Sequence, residues 1–392
     1  MSARHTLLEL FDAALRAVDG RACVARFLRT AGIQGPVEVF AIGKAASSMA
    51  LGARDALGDA IRRMLVITKD GHSDPSLLAP GVLQLESPHP LPDARSLAHG
   101  QALAERVAHL PGDVFPLFLV SGGSSSLVEA LRDGVPLDDL LALNVQGMAR
   151  GWDIATLNAE RVKPSRIKGG GMTRLLGGRA ALALFISDVP QDDPEVIGSG
   201  LLGKAGPGGD RVARHVVASV DDAVAAVRAA AQARGLDLGM RTVRVDGEAA
   251  EVAREFVAAL RNSAADGLVW GGESTVKLPG KHGQGGRNTH LALAAACELR
   301  AGESLTILAA GTDGTDGPTT DAGAIVDAGT VERAELGGCD VERAFREFDS
   351  ATALEAAEDL VHTGPTGTNV GDLLIGLKRA PASRGPRAAR ML

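Results

Sequence analysis

The residue types that bind anionic groups are concentrated in one stretch, Gly271 to Ala296. A predicted strand ends in Gly271-Gly272-Glu273, and glycines at 280, 283, 285 and 286 precede an Ala/Leu-rich helix. A glycine run that opens onto a helix leaves unpaired N–H groups at the positive end of the helix dipole. Arg287 and Asn288 stand at that junction, where a guanidinium and an amide could reach a phosphate or carboxylate oxygen. The stretch predicts an anion site; the alternative is a glycine hairpin that only caps the helix.

Three other turns offer positive charge or backbone N–H groups. Lys44 stands between a strand and a helix, where an ammonium could neutralise a phosphoryl group in transfer, although a surface lysine is the simpler interpretation. The turn 121–126 presents N–H groups and hydroxyls that could hold a phosphate or carboxylate, or it could be a serine-capped helix start. Lys168 adds charge beside a third glycine turn, after Asn158 and Arg161.

Aspartates are dense in two glycine-containing loops. They form the clusters Asp188, Asp192 and Asp193, and Asp313, Asp316 and Asp321. Such oxygen ligands suit Mg²⁺ shared with phosphates, whereas each aspartate taken alone is more simply an Asx-turn or a helix cap. Two clusters near lysines and arginines favour phosphoryl transfer.

Several common catalytic motifs do not occur in the sequence. There is no GxxxxGK[ST] loop, no GxGxxG after the first strand and no G-x-S-x-G elbow at Ser124. The histidines His72, His89 and His290 are too scattered for a metal set, so structural roles are expected for them. A Walker-type nucleotide site and a dinucleotide fold are therefore not expected.

The first half of the chain alternates apolar strands with helices, which is typical of a parallel sheet covered on both faces. Helices are predicted over residues 5–30 and 93–110, and strands over residues 37–42, 64–68, 115–120 and 180–186. Lys44, the serine turn and Asp188 all follow strands. Because ligands bind at the carboxyl edge of open α/β sheets, these residues are expected at one edge.

A second α/β domain is predicted after a linker that begins at Gly235, with the boundary near residue 236. Helices are predicted over residues 221–233 and 248–264. Strands are predicted over residues 240–245, 267–270 and 304–309, and through Val276 and Leu278. The basic residues 379–392 are predicted to be a disordered tail.

Composition limits the class of partner. The chain has 392 residues, a net charge of -7, 3% aromatic residues and no tyrosine, which argues against nucleic acid. Three distant cysteines fit neither a disulfide framework nor a CxxC metal pair. The sequence shows no signal peptide and no apolar run of spanning length, so a small-molecule ligand, no membrane and a cytoplasmic location are expected.

Eight motifs occur together and in order. They are GKAA at 43–46, SPHPLPD at 87–93, SGGSSSL at 121–127, IKGG at 167–170, ISDVPQDDPEVIGSG at 186–200, GGRN at 285–288, AGTDGTDGPTTDAGA at 310–324 and TGPTGTNVGDLLI at 363–375. In these motifs the chain resembles the class II glycerate kinase family, some of whose relatives carry the label hydroxypyruvate reductase. The resemblance covers residues 5 to 378.

The resemblance implies a Rossmann-like parallel-sheet N-terminal domain (1–236) and a smaller α/β C-terminal domain of MOFRL type (237–378), with the active site in the interdomain cleft. It implies ATP-dependent phosphorylation of D-glycerate, typically to 2-phosphoglycerate, with ATP and Mg²⁺ as cofactors; a homodimer is one option for assembly. By similarity Lys44 and Arg287 face each other across the cleft. Asp188 is a candidate proton acceptor or metal ligand.

The resemblance also carries a set of binding residues. Those expected to contact nucleotide or substrate are Gly43, Ser121, Gly122, Gly123, Ser124, Ser125, Lys168, Glu273, Gly285, Gly286, Asn288, Thr312, Asp313 and Asn369. The expected Mg²⁺ ligands are Asp188, Asp193 and Asp313.

Some positions depart from the family pattern. Thr289-His290 replaces the usual Gln-Glu after GGRN, Gln191 replaces a glycine, and Leu201 replaces a proline. Three alternatives therefore stay open: a kinase for another small hydroxy acid, a nucleotide- or glycerate-binding homologue without turnover, and a hydroxypyruvate reductase. The missing dinucleotide fingerprint argues against the reductase.

Overall fold

The computed structural model describes residues 2–150, 154–205 and 209–378, which fall into two compact units. The parallel-sheet unit consists of Val18–Ser219 and Gly367–Val370. The mixed-sheet unit consists of Met1–Ala17, Val220–Thr366 and Gly371–Leu392. The predicted tail, residues 379–392, lies outside the described residues.

The elements are numbered in chain order. The helices are α1 Ala3–Ala17, α2 Gly20–Leu28, α3 Ala46–Leu57, α4 Ala94–Ala108, α5 Ser124–Leu127, α6 Leu137–Arg150, α7 Ile154–Val162, α8 Gly171–Leu175, α9 Val220–Gln232, α10 Ala249–Asn262, α11 Arg287–Glu298, α12 Thr330–Leu336, α13 Val341–Arg346 and α14 Ser350–Ala356. The strands are β1 Val37–Ile42, β2 Ile61–Lys69, β3 Val82–Ser87, β4 Phe115–Val120, β5 Ala181–Ile186, β6 Val212–Ala218, β7 Leu238–Met240, β8 Gly267–Gly272, β9 Thr306–Gly311, β10 Gly323–Asp327, β11 Leu360–Val361 and β12 Asp372–Leu377.

The parallel-sheet unit contains a six-stranded sheet in the order β3-β2-β1-β4-β5-β6, and all its pairings are parallel. Strands β1 and β5 are buried at every position because helices cover both faces of the sheet. Phe40 and Phe118 stack across β1 and β4 with ring centroids 5.0 Å apart. The strand order reverses between β1 and β4, which makes the carboxyl ends of these strands the switch point of the sheet. The predicted Rossmann-like domain is confirmed.

One charged residue lies inside this core. Glu38 on β1 is fully buried, and its carboxylate contacts Arg63 at 2.9 Å and Arg106 at 2.7 Å. A buried carboxylate needs such partners because its desolvation would otherwise disfavour the folded state.

The mixed-sheet unit contains six strands in the order β11-β10-β9-β12-β8-β7. Only the β7–β8 pair among these pairings is parallel, and the other four are antiparallel. Its core includes Phe256 of α10 and Trp270 of β8, whose rings meet edge to face at 4.9 Å. The second α/β domain predicted from the sequence is therefore confirmed, and its sheet is mixed.

The chain passes from the parallel-sheet unit to the mixed-sheet unit between Ser219 and Val220, whereas the sequence predicts a boundary near residue 236. Residues 5–30 form two helices instead of one, because the chain turns at Asp19 and its carboxylate accepts a hydrogen bond from Ala22 N. The first of these, α1, belongs to the mixed-sheet unit together with α9. Glu9 of α1 pairs with Arg234, just beyond α9, at 3.1 Å.

Two strand predictions are wrong. Val276 and Leu278 lie outside any strand, since the chain here keeps only an isolated bridge between Glu248 and Thr275. The predicted strand 240–245 is also absent: β7 ends at Met240, and Val245 bridges singly to Gly272. Strands β3, β6, β10, β11 and β12 were not predicted. No helix in the described ranges is long and apolar enough to cross a membrane.

The close approach of α2 and α3 generates a stability prediction. A Cβ built at Gly52 of α3 would overlap the carbonyl oxygen of Arg21 of α2. Gly52→Ala should therefore lower the free energy of unfolding by about 1–3 kcal/mol, the usual cost of overpacking. Urea unfolding would measure this, with Gly112→Ala as the control because its added methyl group meets open space. Equal midpoints for the two variants would contradict the packing argument.

Candidate functional site

The turns that follow β1 and β4 are hydrogen-bonded to each other. Lys44 N donates to Gly122 O at 3.0 Å, and Ser121 N donates to Ile42 O at 3.0 Å. Ala45 N also donates to the Ser121 hydroxyl at 3.0 Å. Because β1 and β4 are neighbours at the switch point, these bonds place Lys44 and the serine turn side by side, as the sequence predicts.

Two glycines permit this close approach. Gly43 has a φ of 129°, and a Cβ there would overlap the Ser121 side chain. A Cβ at Gly122 would overlap both the Asp188 carboxylate and the Asn369 amide. Gly43 and Gly122 are therefore needed for space, and the predicted binding residues Asp188 and Asn369 lie directly against the serine turn.

Asp188 follows β5 and is held by a residue distant in sequence. Asn369 Nδ2 donates to Asp188 Oδ2 at 2.9 Å. Asn369 is placed by its neighbours, since the Thr368 hydroxyl donates to Val18 O at 2.6 Å and Gly20 N donates to Gly367 O at 3.2 Å. The structure thus brings Lys44, Gly122, Asp188 and Asn369 together at one edge of the sheet.

The serine hydroxyls of the turn have different roles. The buried Ser121 hydroxyl accepts from Ala45 N, and the Ser126 hydroxyl donates to Pro90 O at 2.7 Å. Gly123 is the N-cap of the short helix α5 and has a φ of 83°. The Ser124 hydroxyl is buried and has no hydrogen-bond partner within the described part of the chain, while Ser125 is half-buried.

The structure adds His89 to the candidate residues. A Cβ at Gly123 would lie 3.1 Å from Lys44 Cγ and 3.2 Å from His89 Cδ2, so both side chains pack against this glycine. The sequence analysis assigns His89 a structural role because it belongs to no metal-binding pattern. Its position between two prolines in the SPHPLPD motif was the signal that could have marked it.

Lys168 is a buried residue whose ammonium is already paired. It forms an ion pair with Glu129, and both side chains are essentially inaccessible. The Glu129 carboxylate also accepts hydrogen bonds from the Ser165 hydroxyl and from Ala130 N. Burial lowers the pKa of Lys168, although the Glu129 charge acts in the opposite direction. A direct ligand contact by Lys168 stays a prediction.

In the mixed-sheet unit, the N-terminus of α11 is capped by a carboxylate of the protein itself. Asp316 Oδ1 accepts from Asn288 N at 2.9 Å, and Asp316 Oδ2 accepts from Thr289 N at 2.7 Å and from the Thr289 hydroxyl at 2.8 Å. The prediction of unpaired N–H groups at this helix start is therefore wrong for Asn288 and Thr289. Burial raises the pKa of Asp316, while these hydrogen bonds partly offset the rise.

Arg287, the first residue of α11, lies between two carboxylates. Its Nε and Nη2 donate to Asp372 at 2.6 and 3.0 Å, and its Nη1 lies 2.5 Å from Glu273 Oε1. Asn288 Nδ2 also donates to Asp372, at 3.0 Å. Burial lowers the pKa of Arg287, but the charges of Asp372 and Glu273 raise it further, so the net shift is upward and the guanidinium stays charged.

The remaining predicted residues of this unit surround α11. Gly285 has a φ of 140°, and Gly286 is the N-cap of α11. The Thr312 hydroxyl donates to Gly371 O at 2.7 Å, and Asp313 Oδ1 accepts from Thr315 N at 3.0 Å. A Cβ at Gly311 would lie 3.3 Å from Asp313 Oδ1 and 3.4 Å from Asn288 Nδ2, so Asp313 lies beside Asn288.

His290 has a packing role, as expected. Its ring stacks between Phe345 and Phe348, with centroids 4.7 and 4.5 Å away, and burial lowers the pKa of the imidazole. At this position the histidine that replaces the usual glutamate is therefore packed in an aromatic stack.

The predicted metal ligands are distributed over both units. Asp188 belongs to the parallel-sheet unit and Asp313 to the mixed-sheet unit. Asp193 is exposed and accepts from Glu195 N at 2.9 Å, which is an Asx-turn. Across the described residues, no group of three or more His, Cys, Asp or Glu side chains is placed to hold a metal ion. Mg²⁺ binding and the meeting of Lys44 with Arg287 stay predictions.

Two family models match the chain. The model described as a domain of unknown function, DUF4147, matches residues 6–230, and the MOFRL family model matches residues 267–372. Both ranges include candidate residues.

Named relatives resemble the chain over most of its length. A D-glycerate 2-kinase of Thermotoga maritima is 35% identical, covering 87% of this chain and 90% of the relative. A glycerate 2-kinase of Pyrococcus horikoshii is 30% identical, covering 90% and 89%. A putative hydroxypyruvate reductase of Agrobacterium vitis is 32% identical, covering 95% and 94%. The crystal structure of a Thermotoga maritima glycerate kinase matches with a TM-score of 0.81 and 32% identity, covering 95% of this chain and 99% of that one.

The carboxylate cap of α11 generates a stability prediction. Asp316→Ala would leave the Asn288 and Thr289 N–H groups buried without an acceptor, so we expect the free energy of unfolding to fall by about 1–3 kcal/mol. The control is Asp340→Ala, which removes the exposed cap of α13 that accepts from Arg343 N. Urea unfolding would compare the two. A loss at Asp316 no larger than at Asp340 would contradict the role of burial.

Proposed function

Since the chain belongs to the glycerate kinase family that combines a DUF4147 and a MOFRL domain, we propose that it transfers a phosphoryl group from ATP to D-glycerate and forms 2-phosphoglycerate. The observation that carries the proposal is the set of Lys44, the serine turn and Asp188 at the switch point of a parallel sheet. This edge is where α/β proteins of this topology bind ligands.

The side chains in this set have the chemistry that phosphoryl transfer needs. Asp188, oriented by Asn369, accepts the proton of the acceptor hydroxyl. Lys44 offsets negative charge on the transferring group. Outside this set, Arg287 of the mixed-sheet unit is the residue that we propose binds a phosphate oxygen. The backbone of the serine turn orients the anionic end of the substrate.

Mg²⁺ is the metal that this donor set fits. Magnesium bound with a nucleotide usually takes one or two protein carboxylates and completes its shell with phosphates and water. Single carboxylates such as Asp188 or Asp313 meet that need without a cluster of three acidic side chains. When bound, the ion would neutralise charge on the phosphates.

Lys44 and Arg287 provide the test of the site assignment. We expect Lys44→Ala and Arg287→Ala each to lower turnover by about 100-fold or more, because each removes a cation that stabilises developing charge. The measurement is ADP release that depends on D-glycerate and Mg²⁺, with product NMR to distinguish 2- from 3-phosphoglycerate. Lys163→Ala, at an exposed lysine paired with Glu160, is the control and should keep full activity.

The same assay separates the alternatives. Full activity in both variants would refute the site assignment. Turnover with another hydroxy acid but not with D-glycerate would show that the acceptor is a different hydroxy acid. NAD(P)H consumption with hydroxypyruvate would favour the activity named for the Agrobacterium vitis relative. Nucleotide binding without product would indicate a binding protein.

A substitution at Gly122 tests whether the reaction depends on the position of the Asp188 carboxylate. Gly122→Ala places a methyl group where the Asp188 carboxylate and the Asn369 amide lie, so we expect turnover to fall by about 100-fold as Asp188 moves. Gly112→Ala, whose methyl group meets open space, should leave turnover unchanged. Normal activity of Gly122→Ala would show that the position of Asp188 is not needed for the reaction.

A further inference from the structure

The glycine loop, residues 283–286, precedes α11 and is bound to the segment that begins α14. We call residues 347–351 the α14 segment; they include the turn after α13 and the first residues of α14. Backbone hydrogen bonds join the two, from Gly283 N to Glu347 O at 2.8 Å and from Ala351 N to Gln284 O at 3.0 Å. Both lie in the mixed-sheet unit, so the contact is internal to that unit.

A side chain of the α14 segment also binds the loop. Asp349 is the N-cap of α14, where an aspartate ordinarily accepts hydrogen bonds from the first N–H groups of its own helix. Within the described residues the Asp349 carboxylate makes no such bond. Its Oδ1 accepts instead from Gln284 N at 2.7 Å and from the Thr352 hydroxyl at 2.8 Å. The carboxylate therefore binds the glycine loop and leaves the helix start uncapped.

The backbone before Asp349 is strained. Phe348 has a φ of 55°, a left-handed conformation that bulky side chains rarely adopt. Such strain persists only where surrounding contacts hold the residue in place. The Phe348 ring supplies one of these contacts, because it stacks on His290 of α11 with the ring centroids 4.5 Å apart. The α14 segment is therefore fixed to α11 on one side of Asp349.

Two glycines of the loop give the α14 segment its space. A Cβ at Gly283 would overlap the Asp349 side chain, and a Cβ at Gly285 would overlap the hydroxyl of the buried Ser350. The absence of side chains at these two positions thus allows the loop and the α14 segment to make contact. The loop conformation depends on residues that are distant in sequence.

We propose that Asp349 is a positioning residue, which holds the glycine loop in the conformation that binds a nucleotide phosphate and does not itself contact the ligand. The loop ends directly before Arg287, the residue proposed to bind a phosphate oxygen. A loop that is already ordered loses less conformational entropy when the ligand binds. Without the Asp349 carboxylate the ligand must order the loop, so its affinity falls. The inference rests on the proposed function only for the identity of the ligand.

Asp349→Ala and Asp349→Asn test this role in the full chain. Both substitutions remove the same charge, but asparagine keeps an oxygen that can accept from Gln284 N. In isothermal titration with ADP and Mg²⁺, we expect Asp349→Ala to bind about three- to tenfold more weakly than Asp349→Asn, the effect of one lost hydrogen bond. Hydrogen exchange measured by mass spectrometry should show faster exchange of the Gln284 amide in Asp349→Ala only.

Thr352→Ala is the matched control, because it removes the other hydrogen bond to the same carboxylate oxygen. It should leave the affinity for ADP and the exchange of the Gln284 amide unchanged. Gly283→Ala disturbs the same contact from the loop side and should weaken ADP binding as Asp349→Ala does. Gly112→Ala, whose methyl group meets open space, should have no effect. Thermal unfolding checks that each variant is folded.

The proposal is overturned if Asp349→Ala binds ADP as tightly as Asp349→Asn, if its Gln284 amide exchanges no faster, or if Thr352→Ala weakens binding equally. A lower unfolding temperature of Asp349→Ala with unchanged affinity would leave Asp349 only a structural role. No binding of ADP by the folded, unaltered chain would also overturn it.

The glycerate assay separates this proposal from the proposed function. A chain that shows the difference between Asp349→Ala and Asp349→Asn but does not phosphorylate D-glycerate refutes the proposed function alone. A chain that phosphorylates D-glycerate without that difference refutes the positioning role alone.

Discussion

The pairing of β1 with β4 is the constraint on which the candidate site of the parallel-sheet unit depends. Because the two strands are neighbours at the point where strand order reverses, their carboxyl ends meet and no strand lies between them. The turns after them bond directly, Lys44 N to Gly122 O. This approach tolerates no side chain at Gly43 or Gly122, since a Cβ at either glycine would overlap its neighbours. The sheet topology thus determines both the place of the cation and the identity of the glycines.

Charge is arranged differently in the mixed-sheet unit. Here the helix start and the arginine that could attract an anion are already matched with carboxylates of the chain, Asp316 on the N–H groups and Asp372 with Glu273 on Arg287. Buried charges require such partners in the absence of ligand. A ligand therefore meets groups that already have partners, and the affinity it gains is the difference between its own contacts and those it replaces.

Sequence patterns predicted several of the strands that are buried on both faces, but they missed β10 and β12. Strands β1 and β4 were predicted with exact bounds, because continuous apolar runs between helices have few other interpretations. The edge strand β3, VLQLES, was missed because its half-exposed residues do not form such a run. The segment through Val276 and Leu278 has the residue pattern of a strand, but it does not pair continuously with any strand of the sheet.

The candidate residues were predictable to the extent that they follow strands or belong to the eight motifs. Their partners were not. Asp316 caps α11 through a contact that spans 28 positions in sequence, and Asn369 holds Asp188 through one that spans 181 positions. Local periodicity contains no information on such contacts. His89 was underestimated for the same reason, since its neighbour Gly123 is defined only by the fold.

The four residues Gly367–Val370 belong to the parallel-sheet unit, although the chain on both sides of them belongs to the other unit. They include Asn369, the partner of Asp188. During synthesis on the ribosome, the strands of the first sheet emerge well before this segment. The hydrogen bond between Asn369 and Asp188 can therefore form only after almost the whole polypeptide has been synthesised. A fragment that ends between the two family matches would contain all six parallel strands and still lack a completed site.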